Sequence, residues 1–292
     1  MAAVGLNLIG SKMHILFLTD NFPPEVNAPA SRTFEHCCEW VKAGHRVTVI
    51  TCAPNFPNGH VFDGYRNRLW GSEEMAGIRV IRVWSYITAN EGSLKRILDY
   101  QSFMVTATLA TLFVRGVDVI LGTSPQFFTV CSAYVVSRLK RIPFVFELRD
   151  LWPASIKAVE ALQDSTALRA LERLELFLYR KAARIVSVTH SIKKNLVARG
   201  VDGDKITVIS NGVDMSRFKP MSKDPDLVNE LGLKGKFVAG YVGTHGMAHH
   251  LETLLNAAEM VRSLPNGAAF HFILLGDGAR KKVLKEEAVR RG

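Results

Sequence analysis

The residues best placed to do chemistry stand where apolar runs give way to polar turns. Asp150 closes the run "FVFELRD", with Glu147 and Arg149 beside it. A carboxylate there can orient a substrate hydroxyl or accept its proton. The alternative is an Arg–Asp ion pair that only ties down a loop. Trp152 follows, as a flat face for a sugar or base or as a core side chain. In "NAPASR" (27–32), Asn27 and Ala28 lie just ahead of an expected helix, with Arg32 one turn inside it. Free amides and the helix dipole favour an anion at such a start, although ordinary capping would use the same residues. Asn211 belongs to "NGVD", a strong turn signal at the end of another apolar run.

The stretch "GYVGTHGMAHHLETLL" (240–255) raises a choice between metal and phosphate. Gly243, Thr244 and Gly246 would let the backbone approach a ligand closely just before a helix, the mechanics of a phosphate grip. His249 and His250 are adjacent and cannot face the same way, so a three-histidine metal site is not expected. His245 sits inside the loop, where an imidazole could donate to a phosphate or sugar oxygen. "LLGDGARKK" (274–282) repeats the arrangement with Asp277, Gly278, Arg280 and Lys281. Neither stretch has G-x-G-x-x-G spacing, which counts against a nicotinamide-dependent dehydrogenase.

These turns need strands and helices to hold them. Short apolar strands are expected at 14–20, 46–52, 78–84, 118–124, 143–150, 184–189 and 205–212, with helices at about 30–43, 94–114, 126–139, 166–182 and 191–199. Near-continuous apolar strands alternating with helices predict an α/β fold, a parallel sheet covered on both faces. The polar, turn-rich segment 213–235 reads as a linker. Beyond it the alternation resumes with strands at 237–243 and 269–276 and helices at 249–262 and from about 279. Two strands and two helices cannot bury a doubly wound core. The second unit is therefore expected to be a partial domain of a longer chain, or to lean on the first unit or on a partner. The expected division is an extension over 1–12, a first domain over 13–212, a linker over 213–235 and a partial domain over 236–292.

Composition bounds the partners. The 292 residues are 48% hydrophobic and 22% charged, enough apolar mass for ordered domains. The net charge of +10 points to an anionic partner: a phosphorylated small molecule, anionic lipid or nucleic acid. Residues 138–205 concentrate it, with 14 Lys/Arg against 8 Asp/Glu. A nucleic-acid partner would rest on charge alone and is not expected. The cysteines (37, 38, 52 and 131) show no CxxC spacing, so reduced thiols in a cytoplasmic compartment are the simple reading. Residues 1–12 make no convincing signal peptide. The apolar run 103–114 is shorter than the ~20 residues a span needs, leaving a buried helix or a surface that touches membrane.

Five stretches in order, "ILFLTDNFPPEVNAPASR", "FVFELRDLWPAS", "VISNGVDMSRFKP", "YVGTHGMAHHLETLLNAAE" and "FHFILLGDGARKKVL", resemble glycosyltransferase family 4. These are retaining GT-B enzymes, and the resemblance is strongest to the branch that builds bacterial surface polysaccharides such as O-antigen and capsule. It implies two Rossmann-like domains, here with the second incomplete, and a nucleotide-sugar donor such as a UDP-sugar in the cleft between them. It implies transfer with retention, no cofactor and no required metal. The implied acceptor is a lipid-diphosphate-linked saccharide at the inner membrane face, with the basic 166–199 region suited to that surface. Asp150 matches the acidic position at the reacting centre. Asn27, Ala28 and Arg32 match the first loop near the donor phosphates, where other members are richer in glycine; Arg149 and Asn211 flank it. Gly243, Thr244, His245 and Gly246 match the diphosphate loop, and Asp277, Gly278 and Arg280 the second donor-side turn. His249 and His250 stand where many members carry a basic residue and a glycine. The family's two donor-site glutamates eight positions apart have no counterpart in this sequence. A non-catalytic remnant or binding module of the same fold is the competing reading.

Overall fold

A computed structural model describes residues 11–56, 58–88, 93–124, 126–151 and 166–292. Trp152 and nearly all of the 1–12 extension lie outside the described residues. The chain divides into two compact units, Met1–Gly212 and Val213–Gly292.

The first unit is built on strands β1 (His14–Leu18), β2 (Arg46–Cys52), β3 (Gly71–Met75), β4 (Ile78–Val83), β5 (Val119–Thr123), β6 (Phe144–Leu148), β7 (Arg184–Ser187) and β8 (Ile206–Val208). They form one sheet in the order β3-β4-β2-β1-β5-β6-β7-β8, parallel except for β3. Every residue of β1 and β5 is buried, because helices cover both faces. One core cluster holds Leu16, Ile50, Ile120 and Phe146; the other holds Phe17, Val49 and Val80 from the opposite face. Helices α1 (Ala28–Lys42), α2 (Ser93–Leu112), α3 (Phe127–Lys140), α4 (Thr166–Lys181) and α5 (His190–Ala198) supply the cover. Helix α1 starts two residues earlier than its apolar pattern suggests, because the Asn27 side chain caps it by accepting from the Ala30 amide at 2.8 Å. All four cysteines are free.

Strand β3 is absent from the sequence expectation. "GSEEM" has no apolar period, and it becomes a strand only by antiparallel pairing with β4, Glu73 opposite Val80. The hairpin turn between them uses Ala76 at φ 50° and Gly77 at φ 77°, the positive angles a two-residue turn of this hand requires.

The parallel register decides where the polar turns fall. Leu18 lies opposite Gly122, and Thr123 opposite Glu147, so β1, β5 and β6 end level on one edge. Gly122 lets α3 lie close on β5: a Cβ there would stand 2.9 Å from Ala133 Cβ and 3.0 Å from Val130 Cα of α3.

In the second unit, α6 (Pro225–Glu230) falls in the segment expected to be a linker. Strands β9 (Phe237–Val242) and β10 (Phe270–Leu275) pair in parallel, followed by α7 (Glu252–Arg262) and α8 (Lys281–Arg291) respectively. No residue of either strand is fully buried, in contrast to β1 and β5.

Gly122→Ala is expected to cost about 1–3 kcal/mol through overpacking between β5 and α3. Urea unfolding followed by circular dichroism measures it, and an unchanged midpoint would contradict the close packing.

Candidate functional site

The carboxyl edge of the first sheet gathers polar groups from turns far apart in sequence. Arg32, in the second turn of α1, is 8% exposed and reaches across to β6. Its Nε donates to Glu147 Oε1 at 3.1 Å, its Nη1 to Asn211 Oδ1 at 2.7 Å and its Nη2 to the Ile209 carbonyl at 3.5 Å. The guanidinium that the sequence offers to an anion is therefore already matched by a protein carboxylate. Asn27, besides capping α1, donates to Asn21 Oδ1 at 2.8 Å. Ala28 is the first residue of the helix.

Ser124, just after β5, fixes the turn after β6: its Oγ accepts from the amides of Arg149 at 2.8 Å and Asp150 at 3.3 Å. This anchoring leaves the Asp150 side chain exposed. Arg149 is partly buried, and its Nη1 is shielded from solvent with no partner among the described residues. Burial lowers the Arg149 pKa, opposed by the charge of Glu147.

A cavity of about 220 Å³ opens at the same edge, lined in part by Asp20, Glu25, Asn55, Phe56, Tyr100 and Gln126. Sequence reading passed over Asp20, Glu25 and Gln126, although "TD" and "TSPQ" place polar residues at the ends of β1 and β5. Asp20 receives hydrogen bonds from Asn21 Nδ2 and Gln126 Nε2. Burial, reinforced by the nearby Glu25 charge, pushes the Asp20 pKa up to about 6 against the bond from Asn21. Glu25 Oε1 accepts from the Asn55 and Phe56 amides at 2.8 and 3.0 Å, while its own burial raises its pKa. Gln126 Oε1 is sealed from solvent with no partner among the described residues. Carboxylates and amides, with no Lys or Arg lining the cavity among the described residues, suit a neutral polyhydroxyl ligand better than an anion.

In the second unit the two glycine turns lock onto each other. Gly243 N donates to the Leu275 carbonyl at 3.0 Å, His245 N to that of Asp277 at 2.8 Å, and Arg280 N to that of His245 at 2.9 Å. A Cβ on Gly276 would lie 1.8 Å from the Gly243 oxygen, and one on Gly278 2.7 Å from that of His245. Glycine at 276 and 278 thus serves turn-on-turn packing. The amides of Thr244 and Gly246 have no acceptor among the described residues and stand ahead of α7. His245 is 5% exposed, and neither ring nitrogen has a partner among the described residues. It borders an open cavity of about 440 Å³ with Leu255, Phe272 and Leu284, rimmed by Lys281, Lys285 and Arg291. Arg280 pairs with Glu252, Nε to Oε1 at 3.0 Å. Asp277 is exposed, and the Gly278 amide on its carboxylate lowers its pKa.

The helix expected from position 249 starts at Glu252, after a short 3-10 turn over Met247–His249. His250 interrupts it at φ 45°, ψ 48°, the left-handed region that favours glycine. His249 and His250 are both exposed while His245 is buried, and the rings of His245 and His249 each lie against Tyr241, at 6.1 and 6.5 Å between centroids. No group of three or more His, Cys, Asp or Glu among the described residues is placed to hold a metal ion.

Residues 27–212 match the Glycosyl transferase 4-like domain. The chain belongs to this family. It is 27% identical over 295 residues to WcaI of Escherichia coli K12, a protein named as a colanic acid biosynthesis glycosyl transferase, covering 96% of this chain and 70% of the relative. The structure resembles HepE of Anabaena, solved with UDP and glucose, at TM-score 0.60 and 16% identity, covering 96% of this chain and 65% of that one. It also resembles sucrose-phosphate synthase of Thermosynechococcus elongatus, at TM-score 0.68 and 15% identity over 95% of this chain and 68% of the other. The α/β fold with its mainly parallel sheet is that of GT-B glycosyltransferases. This family member thus spans about two thirds of the length of these structures. No helix among the described residues is long and apolar enough to cross a membrane.

Two outcomes follow from the geometry. A carboxyl whose folded pKa lies above its unfolded value favours the protonated folded state, so Asp20 weighs against stability above pH 6 and that cost fades as pH falls towards 4. Asp20→Asn is expected to stabilise the first unit by about 1–3 kcal/mol at pH 7.5, with the gain shrinking by pH 5. Thermal melts at the two pH values check this, and equal shifts at both would refute it. His250→Gly is expected to stabilise the second unit by ~0.5 kcal/mol by relieving the left-handed strain, read as a higher melting temperature.

Proposed function

We propose that this chain provides the machinery of a retaining, nucleotide-sugar-dependent glycosyltransferase in cell-surface polysaccharide synthesis. The observation that carries the reading is the family match over 27–212, which contains the polar edge where Asp150 stands exposed, anchored through Ser124. The bond between the anomeric carbon and the diphosphate oxygen breaks, the acceptor hydroxyl oxygen bonds to that carbon, and the nucleoside diphosphate leaves with the electron pair. Asp150 orients that hydroxyl and draws on its proton. The amide- and carboxylate-lined cavity beside Asp20 takes the acceptor sugar, whose hydroxyls match Gln126 and Asn55. In the second unit, the free Thr244 and Gly246 amides, at the turn that leads into the short 3-10 segment ahead of α7, hold the donor diphosphate. Arg280, already paired with Glu252, is a secondary contributor.

A UDP-sugar as donor is supported by the likeness to HepE, whose structure holds UDP and glucose. A surface-polysaccharide role is supported by the naming of WcaI for colanic acid biosynthesis. The acceptor in this reading is a lipid-diphosphate-linked saccharide, met by peripheral contact at the inner membrane face from the cytoplasm. No cofactor or metal is assigned, the nucleotide-sugar being a substrate. The competing reading, a binding module without turnover, draws on Arg32 and Arg280 being engaged by protein carboxylates.

Labelled UDP-sugars incubated with lipid-linked acceptor separate the two. Transfer or slow donor hydrolysis that falls about 100-fold or more in Asp150→Ala, with donor affinity kept, supports the transferase. Donor binding without any turnover supports the module. No binding at millimolar donor refutes both for this chain.

A further inference from the structure

Helix α2 carries a second set of side chains that the core does not use. Phe103, Ala107 and Ala110 face inward and are buried. The other side exposes Val105, Leu109 and Leu112, at 52%, 54% and 42%, a stripe at spacings of four and three. Phe113 extends it at 76% exposure, and its ring meets that of Trp70 edge-on, with centroids 6.3 Å apart. Leu69 beside Trp70 is 78% exposed. Two segments distant in sequence thus build one apolar surface crowned by two aromatic rings.

Cations frame that surface. Arg66 and Arg68 are exposed on the segment that carries Trp70, and Arg115 is exposed two residues beyond Phe113. The Lys140 amino group reaches from α3 to the end of α2, 2.9 Å from the Val114 carbonyl and 3.3 Å from that of Leu112. Glu73, on the neighbouring strand, is neutralised by Arg82. An exposed apolar patch marks an interaction site, and an aromatic–aliphatic centre with a rim of Lys and Arg has the chemistry of a headgroup boundary. The basic α4–α5 region is a weaker candidate: its exposed large apolars on α4 are Leu174 and Phe177 at 37% each, and Phe177 packs on Tyr134.

We infer that the surface formed by Leu69, Trp70, Leu109, Leu112 and Phe113, rimmed by Arg66, Arg68, Arg115 and Lys140, docks on an anionic lipid bilayer. The aromatic rings enter the boundary between headgroups and acyl chains, and the cations meet lipid phosphates. The inference rests on the proposed membrane contact and names the face that makes it.

The test is co-sedimentation of the whole chain with vesicles of phosphatidylcholine containing 30% phosphatidylglycerol, alongside UDP-sugar binding. Binding should need the anionic lipid and weaken at 0.5 M salt. Trp70→Ala with Phe113→Ala should lower partitioning at least 10-fold, and Arg66→Gln with Arg68→Gln at least 3-fold, with circular dichroism and donor binding unchanged. Arg173→Gln with Arg180→Gln on α4 should leave partitioning intact. Wild-type binding that survives the aromatic double substitution, or is lost only in the α4 variant, overturns the inference. So does a dimer in sedimentation equilibrium that the aromatic substitution dissociates, with no vesicle binding, because a second copy then covers the face. Donor binding reads out separately, so loss of the lipid contact leaves the transferase reading standing.

Discussion

The buried contact between Arg32 and Glu147 is the constraint on which the first unit's polar edge depends. Both side chains are at most 8% exposed, and their 3.1 Å contact joins α1 to β6. Removing one partner of such a pair strands an uncompensated charge, a cost of roughly 3–5 kcal/mol. The remaining guanidinium donors reach Asn211 and Ile209 beyond β8, so one side chain spans from the first helix to the last strand of the sheet. With Glu147 committed inward, the turn that follows β6 keeps Arg149 partly buried and leaves Asp150 at the surface.

The parallel sheet makes this economical. Strands running the same way deliver all their following turns to one edge, so Asp20, Ser124 and Asp150 meet although 130 residues separate the first from the last. The groups on this edge are then differentiated by burial. Asp20 is desolvated and its pKa lifted, while Asp150 stays exposed a short step away along the same edge. Two carboxylates with different surroundings can divide binding and proton handling between them.

The second unit solves a related problem with backbone alone. Its two turns hold each other through amide–carbonyl bonds, which is why Gly276 and Gly278 tolerate no side chain. His245 shows the consequence: its amide and carbonyl are both used in this lock, and its ring is carried under the turn. From the sequence it read as a ring facing a ligand, because nothing in "GTHGM" distinguishes the two directions.

Residue order alone determined the α/β class, nearly every strand and helix, and the junctions where chemistry collects, because apolar periodicity and turn residues are local signals. The glycosyl transferase 4-like motifs were legible for the same reason. Strand β3 was not, since "GSEEM" is a strand only by virtue of its partner. Nor was the engagement of Arg32 and Arg280, the cavity at Asp20, or the pairing of Trp70 with Phe113. Those depend on which distant atoms share a strand edge or a helix flank. Only packing of the whole sheet sets such distances, and with them which charges are neutralised, which carboxyl is desolvated and which rings remain in water.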